Sequence, residues 1–255
     1  MTDPLSEPLS TASQQAVIVA GCGNEIAAAV VRRLIRRGDR VLIWGGDPGP
    51  LAIDLEPAVG TAEAVEKPLS YVAGEEFQQA VDAALDRGRI GALINFQPVV
   101  GADEAIGEAI DALYSRILQV TPHMRSGGQI VNIMSSAGRY RTGYFRSSAD
   151  ADQSQGARAG MDGAIFGLTR QLGFELAPRR IRVNAVSLGW IRSGERDREW
   201  DAMTAREREF LLEEISIGRP GEPDEVAAAV EFLASDASSY VTCNAIDVNG
   251  GWWTS

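Results

Sequence analysis

A chain of 255 residues with 45% hydrophobic content suits one α/β domain built around a single large core. The formal charge of −11 argues against nucleic acid or an anionic membrane surface as partner, because both repel an acidic protein. The two cysteines, Cys22 and Cys243, lie far apart with no Cys-x-x-Cys or Cys/His cluster, so neither a disulfide framework nor a metal site is indicated and a reducing cytoplasm fits. Residues 1–15 are polar and rich in Ser, Thr and Pro, without a basic start or an apolar stretch, and read as a flexible tail before a domain spanning 16–255. No run of about 18 apolar residues offers a membrane span.

The apolar run Ala16-Val17-Ile18-Val19-Ala20 ends in Gly21-Cys22-Gly23, after which Ile26, Val30, Val31, Leu34 and Ile35 recur at helical spacing. That pattern is strand, glycine turn, helix. Gly38-Asp39 stops the helix and Arg40-Val41-Leu42-Ile43-Trp44 supplies a second strand, completing a βαβ unit. Further strands are expected at Ala92–Asn95, Gln129–Met134, Ile181–Ser187 and Ala245–Val248, with helices at 75–87, 103–121, 157–177 and 223–235. Strands alternating with helices of this length predict a parallel sheet covered on both faces.

Two segments interrupt the alternation. Residues 139–156 carry Arg139-Tyr140-Arg141-Thr142-Gly143-Tyr144-Phe145-Arg146 and form an unusually long polar connection. Residues 192–216, rich in Arg and Glu with Trp200, Met203, Phe210 and Leu211 between them, read as an amphipathic lid-like helix over the C-terminal strand ends, where ligands of such sheets bind.

Four stretches carry a family resemblance: Ile130-Val131-Asn132-Ile133-Met134-Ser135-Ser136-Ala137-Gly138, Gly167-Leu168-Thr169-Arg170 through Pro178, Ile181-Arg182-Val183-Asn184-Ala185-Val186, and Gly218-Arg219-Pro220-Gly221-Glu222-Pro223-Asp224-Glu225-Val226. They resemble the short-chain dehydrogenases/reductases. The resemblance implies a single doubly wound Rossmann-type domain with a parallel sheet of about seven strands and helices on both faces. It also implies chemistry that depends on a Tyr-x-x-x-Lys pair, in which the tyrosine exchanges a proton with the substrate and the lysine lowers its pKa and holds the nicotinamide ribose.

That pair cannot exist here, since the only lysine is Lys67. Counted back from Gly167, the tyrosine position holds Arg158 and the lysine position Asp162. An arginine, with a pKa above about 12, cannot act as acid or base near neutrality. Asp162 reverses the field that would favour a phenolate. Spaced i and i+4 on a helix, the two read as an ordinary ion pair. Ser135 matches the family's substrate-orienting serine, without an activating base nearby in sequence. The family's helix asparagine falls near Ala109 to Asp111, where the 103–121 segment has none.

The implied cofactor site is altered as well. In Gly21-Cys22-Gly23-Asn24-Glu25-Ile26-Ala27, Glu25 and Ala27 stand where the resemblance expects the second and third glycines. A carboxylate at the second position blocks close backbone approach and repels a diphosphate, so Gly21 and Gly23 read as a tight turn rather than a phosphate cradle. The adenosine-side segment appears as Asn95-Phe96-Gln97-Pro98, the acid or arginine after strand two as Gly45-Gly46 followed by Asp47, and the Pro-Gly motif as Leu188-Gly189.

The resemblance therefore implies a non-catalytic subunit with no cofactor of its own, paired in a heterotetramer with a homologous active subunit that binds NAD. Among family members it looks most like the degenerate partner in heteromeric dehydrogenases of anaerobic aromatic breakdown, which act on CoA thioesters such as hydroxybenzylsuccinyl-CoA. Trp252 and Trp253 near the terminus are expected to meet another subunit, since each buries on the order of 200 Å2 when covered. The rival reading is a cofactor-independent lyase, cyclase or isomerase using Tyr140, Tyr144 or Ser135, with Arg141, Arg146 or Arg158 to bind an anion or lower a tyrosine pKa. A third reading is an atypical NAD(P)-dependent oxidoreductase with Tyr144 as proton donor.

Overall fold

In the computed structural model, residues 15–46, 90–97, 106–136 and 154–252 are described. Strand β1 (Ala16–Cys22) leads into helix α1 (Glu25–Arg36), then β2 (Arg40–Gly46) and β3 (Ile90–Phe96). Helix α2 (Ile106–Val120), β4 (Met124–Ser135), α3 (Ser154–Leu176) and β5 (Arg182–Leu188) continue the alternation. The chain closes through α4 (Gly194–Ala202), α5 (Ala205–Glu214), α6 (Pro223–Leu233) and β6 (Ala245–Val248). The expected helix at 75–87 lies outside the described residues.

The strands form one parallel sheet in the order β2-β1-β3-β4-β5-β6. Among the described residues it has six strands rather than about seven, and β2 stands at its edge. Strand order reverses between β1 and β3, so their C-terminal ends border the crevice where such sheets bind ligands. Every residue of β3 is buried, as expected of a strand covered on both faces.

Side-chain alternation splits the core into two layers. Val17, Val19, Ile94, Val131 and Val186 meet α1 and α6, while Ile18, Leu93, Ile130 and Val183 meet α2 and α3. Helix α1 is set in register by Asn24, whose side chain accepts the Ala27 N–H at 2.9 Å. Gln15, assigned to the tail on its polarity, is buried and donates to the carbonyl of Ala234 at 3.1 Å.

The 192–216 segment is two helices, not one. Thr204 accepts the Glu207 N–H while Glu207 accepts the Thr204 N–H, a capping box that starts α5 and separates it from α4 at the extended Met203. Both helices rest on a small apolar cluster of Trp190, Leu211, Ile215 and Trp252, with Trp200 and Met203 packed against it. The rings of Trp190 and Trp252 meet edge to face at 6.4 Å. Trp252 is thus covered by its own chain; Trp253 lies outside the described residues.

Several residues that carry the resemblance serve the fold. The guanidinium of buried Arg182 donates to the carbonyls of Ser235 at 2.8 Å and Val241 at 3.2 Å and to Ser238 Oγ at 2.7 Å, closing the end of α6 onto β5. Arg219 grips Glu225 with two nitrogens at 2.7 and 2.9 Å, and Glu225 also accepts the Glu222 N–H. These contacts hold the Glu225 carboxyl down at about 2. Replacing Arg182 by Met should cost about 3 kcal/mol, because the carbonyls it serves would stay buried without a donor. Urea denaturation measures this, and a loss below about 1 kcal/mol would mean that water replaces the guanidinium.

Candidate active site

The C-terminal ends of β1, β3, β4 and β5 face the N-termini of α1 and α4 and the first half of α3. Strand β4 delivers Ser135 to the rim, and α3 passes beside it with Asp162 turned inward. Asp162 is fully buried. Its Oδ1 accepts the Ser135 backbone N–H at 2.8 Å and its Oδ2 accepts the Ser135 hydroxyl at 2.7 Å. The carboxylate therefore clamps the strand end at two points.

Burial raises the Asp162 pKa from 3.8 to about 6, against the opposing pull of the two Ser135 hydrogen bonds and the positive charge of Arg158. The i,i+4 relation to Arg158 is thus not an ordinary surface ion pair. Arg158 acts on Asp162 through its field, while the hydrogen bonds to the carboxylate come from across the strand–helix interface. Ser135 does have a base beside it, one that sequence proximity did not reveal because 27 positions separate the two. The signal that could have found it was topological: a helix residue one turn into the stretch facing the end of the preceding strand.

Asn95, expected on the adenosine side of the crevice, serves the sheet interior. It is fully buried, and its Nδ2 donates to Asn132 Oδ1 at 3.1 Å; Asn132 in turn donates to Thr169 Oγ1 at 3.0 Å. This polar chain ties β3 to β4 and β4 to α3. Gly21 has φ +78°, and a Cβ there would lie 2.7 Å from the Phe96 carbonyl oxygen. Its need for glycine comes from the closeness of β1 and β3, as a tight turn requires. Gly23 is exposed beside it.

Glu25 occupies the first turn of α1, where a phosphate of a dinucleotide would be expected. Its Oε2 accepts the Gly194 N–H at 3.0 Å, at the start of α4. Glu25 in the first turn of α1 and Asp162 on α3 thus put two carboxylates at this end of the sheet, each accepting a hydrogen bond from another element. Tyr140, Arg141, Tyr144, Arg146 and Asp47 lie outside the described residues. Among the described residues no group of His, Cys, Asp and Glu could hold a metal ion, and no helix is long and apolar enough to cross a membrane.

The family model described as enoyl-(acyl carrier protein) reductase matches residues 21–253. The chain belongs to the short-chain dehydrogenase/reductase family. It is 31% identical to the (2S)-[(R)-hydroxy(phenyl)methyl]succinyl-CoA dehydrogenase subunit BbsC of Thauera aromatica, over 95% of this chain and 96% of that protein. It is 28% identical to the 3-oxoacyl-[acyl-carrier-protein] reductase FabG of Thermotoga maritima, over 92% of this chain and 96% of that one. The apo structure of a Pseudomonas aeruginosa short-chain oxidoreductase containing an atypical catalytic center superimposes with a TM-score of 0.77 at 23% identity, covering 96% of this chain and all of that one, which speaks to the fold alone.

The Asp162 clamp sets a pH signature. Because its folded pKa lies above its unfolded value, the folded chain binds this proton more tightly. The stability it contributes is full below pH 3.8 and is lost as pH rises through about 6. Asp162→Asn keeps an acceptor for the Ser135 N–H without the buried charge. Its unfolding free energy relative to wild type should therefore rise by about 2.4 kcal/mol between pH 4 and pH 8, most of the worth of that pKa displacement. Asp162→Ala, which leaves the Ser135 N–H without an acceptor, should instead destabilise by about 2 kcal/mol at pH 5. Parallel pH profiles for Asp162→Asn and wild type would show that the charge is not buried in solution.

Proposed function

We propose that this chain is a non-catalytic subunit of a heteromeric short-chain dehydrogenase, assembled with a homologous subunit that carries the Tyr/Lys pair and binds NAD. The observation that carries this reading is the double hydrogen bond between Asp162 and Ser135. It commits the serine hydroxyl to a carboxylate of the same chain, at the residue that the family resemblance aligns with the lysine. Arg158 at the tyrosine position cannot exchange a proton near neutrality. Glu25 at the α1 N-terminus opposes an incoming diphosphate. With hydride chemistry unsupported in this chain, an oxidoreductase fold is left to serve an assembly.

The class of substrate proposed for that assembly is a hydroxyacyl-CoA thioester; support comes from the BbsC relative, which is named as a subunit of a (2S)-[(R)-hydroxy(phenyl)methyl]succinyl-CoA dehydrogenase. A second reading, a cofactor-independent proton-transfer enzyme, draws on one observation: a carboxyl titrating at about 6 touches the Ser135 hydroxyl. It is the weaker reading because Asp162 is fully buried and both of its oxygens are already occupied by Ser135.

The purified chain should show no NAD-dependent turnover of hydroxyacyl-CoA substrates and should form a mixed oligomer with a family member that has an intact Tyr-x-x-x-Lys. Calorimetric titration with NAD+ and NADH, and the mass in solution before and after mixing, measure both. Micromolar nucleotide binding by the single chain, or turnover without a partner, would overturn the subunit reading.

A further inference from the structure

The proposed subunit role leaves open what holds the crevice in shape when no nucleotide occupies it, and Glu25 supplies a physical answer. This inference deepens the subunit reading and rests on it. Two helix N-termini converge at the crevice, those of α1 and α4. Each presents backbone N–H groups without helical partners and the positive end of a macrodipole. Asn24 satisfies one N–H of α1 at 2.9 Å. At α4 the N-cap residue Ser193 is extended, with φ −164° and ψ 162°, and makes no side-chain cap bond. The acceptor comes instead from a residue 169 positions away: Glu25 Oε2 takes the Gly194 N–H at 3.0 Å.

The fit is close. A Cβ at Gly194 would lie 2.9 Å from Glu25 Oε1, so the glycine lets the carboxylate reach the helix end. Glu25 itself stands in the first turn of α1, so its side chain joins the start of that helix to the start of α4. On its far side α4 is seated through Arg196, whose guanidinium lies 4.7 Å from the centre of the Trp190 ring, over the cluster that contains Trp252.

We infer that Glu25 is a built-in anion that latches α4 to the N-terminus of α1 and so closes the dinucleotide crevice from within. The carboxylate takes the place a ligand phosphate would need, and the same contact holds the lid helix down without any ligand. The contact is solvent-exposed, so the latch is a modest one that biases the lid rather than locking it.

Hydrogen exchange at the first turn of α4 in the full chain tests this, comparing wild type with Glu25→Gln and Glu25→Ala, and with Glu213→Gln as an exposed carboxylate outside the contact. Losing a charged acceptor should speed exchange of the Gly194 amide about fivefold in Glu25→Ala and less in Glu25→Gln, with Glu213→Gln unchanged. Millimolar inorganic pyrophosphate should slow that exchange again in Glu25→Ala and leave wild type unaffected. Equal exchange in Glu25→Ala and wild type would overturn the latch. Faster exchange that pyrophosphate does not reverse, or pyrophosphate protection of wild type, would overturn the claim that the carboxylate stands in an anion's place. Neither readout involves a partner or turnover, so NAD-dependent turnover by the wild-type chain would defeat the subunit reading and leave the exchange result standing.

Discussion

A carboxylate can be buried only where donors replace the water it loses, and at Asp162 the end of β4 supplies two of them. That single exchange sets the character of the crevice. It anchors the strand end to α3 and turns the Ser135 hydroxyl toward the protein. Burial then raises the carboxyl to about 6, so near neutral pH the helix carries an ionised group at a cost in stability that a neutral amide would avoid. A residue that weakens the fold where a neutral isostere would not is better explained by the electrostatics of the crevice than by packing.

Around that point, the motifs that carry the family resemblance divide by task. Arg182 closes the end of α6, Arg219 and Glu225 fix its beginning, and Asn95, Asn132 and Thr169 stitch β3, β4 and α3 together. Each is a polar group that the interior can hold only with a partner, so each specifies geometry as well as contributing energy. None of them needs a nucleotide. The residues in which this chain departs from the family pattern, Glu25, Arg158 and Asp162, lie instead at the C-terminal rim, where the sheet offers its ligand site.

The alternation of apolar runs and helical periodicity is enough to place six strands and four of the expected helices among the described residues, because a buried parallel strand and an amphipathic helix write their periods directly into the chain. Boundaries moved where a local bond extended the element, as in β4, which runs back to Met124. The lid region was harder to read: its charge pattern suggested one helix, while the Thr204-x-x-Glu207 spacing that splits it is a four-residue signal inside a long polar stretch. Substituted positions at the site were legible by counting from Gly167, but their partners were not. Asp162 was paired with its neighbour Arg158 on the helix, although its hydrogen bonds run across to Ser135. Glu25 was read as a repulsive group, although it also accepts a bond from α4. Trp252 was read as a subunit contact, although Trp190 covers it. All three readings missed a contact for one reason, since local spacing ranks near neighbours in sequence while these contacts arise from how the elements pack.

The two carboxylates have one consequence in common. A protein that orders its crevice around a ligand gains stability from that ligand in proportion to the logarithm of its concentration. Here the strand end at Ser135 and the lid helix at Gly194 each find their acceptor within the chain, at 2.7 and 3.0 Å. Neither contact requires a bound nucleotide. Such independence differs from the behaviour of an enzyme in which closure and opening follow cofactor occupancy at every turnover. It does suit a subunit whose task is to present a constant surface to a catalytic partner, since that surface then keeps its shape whether the partner's own site is full or empty.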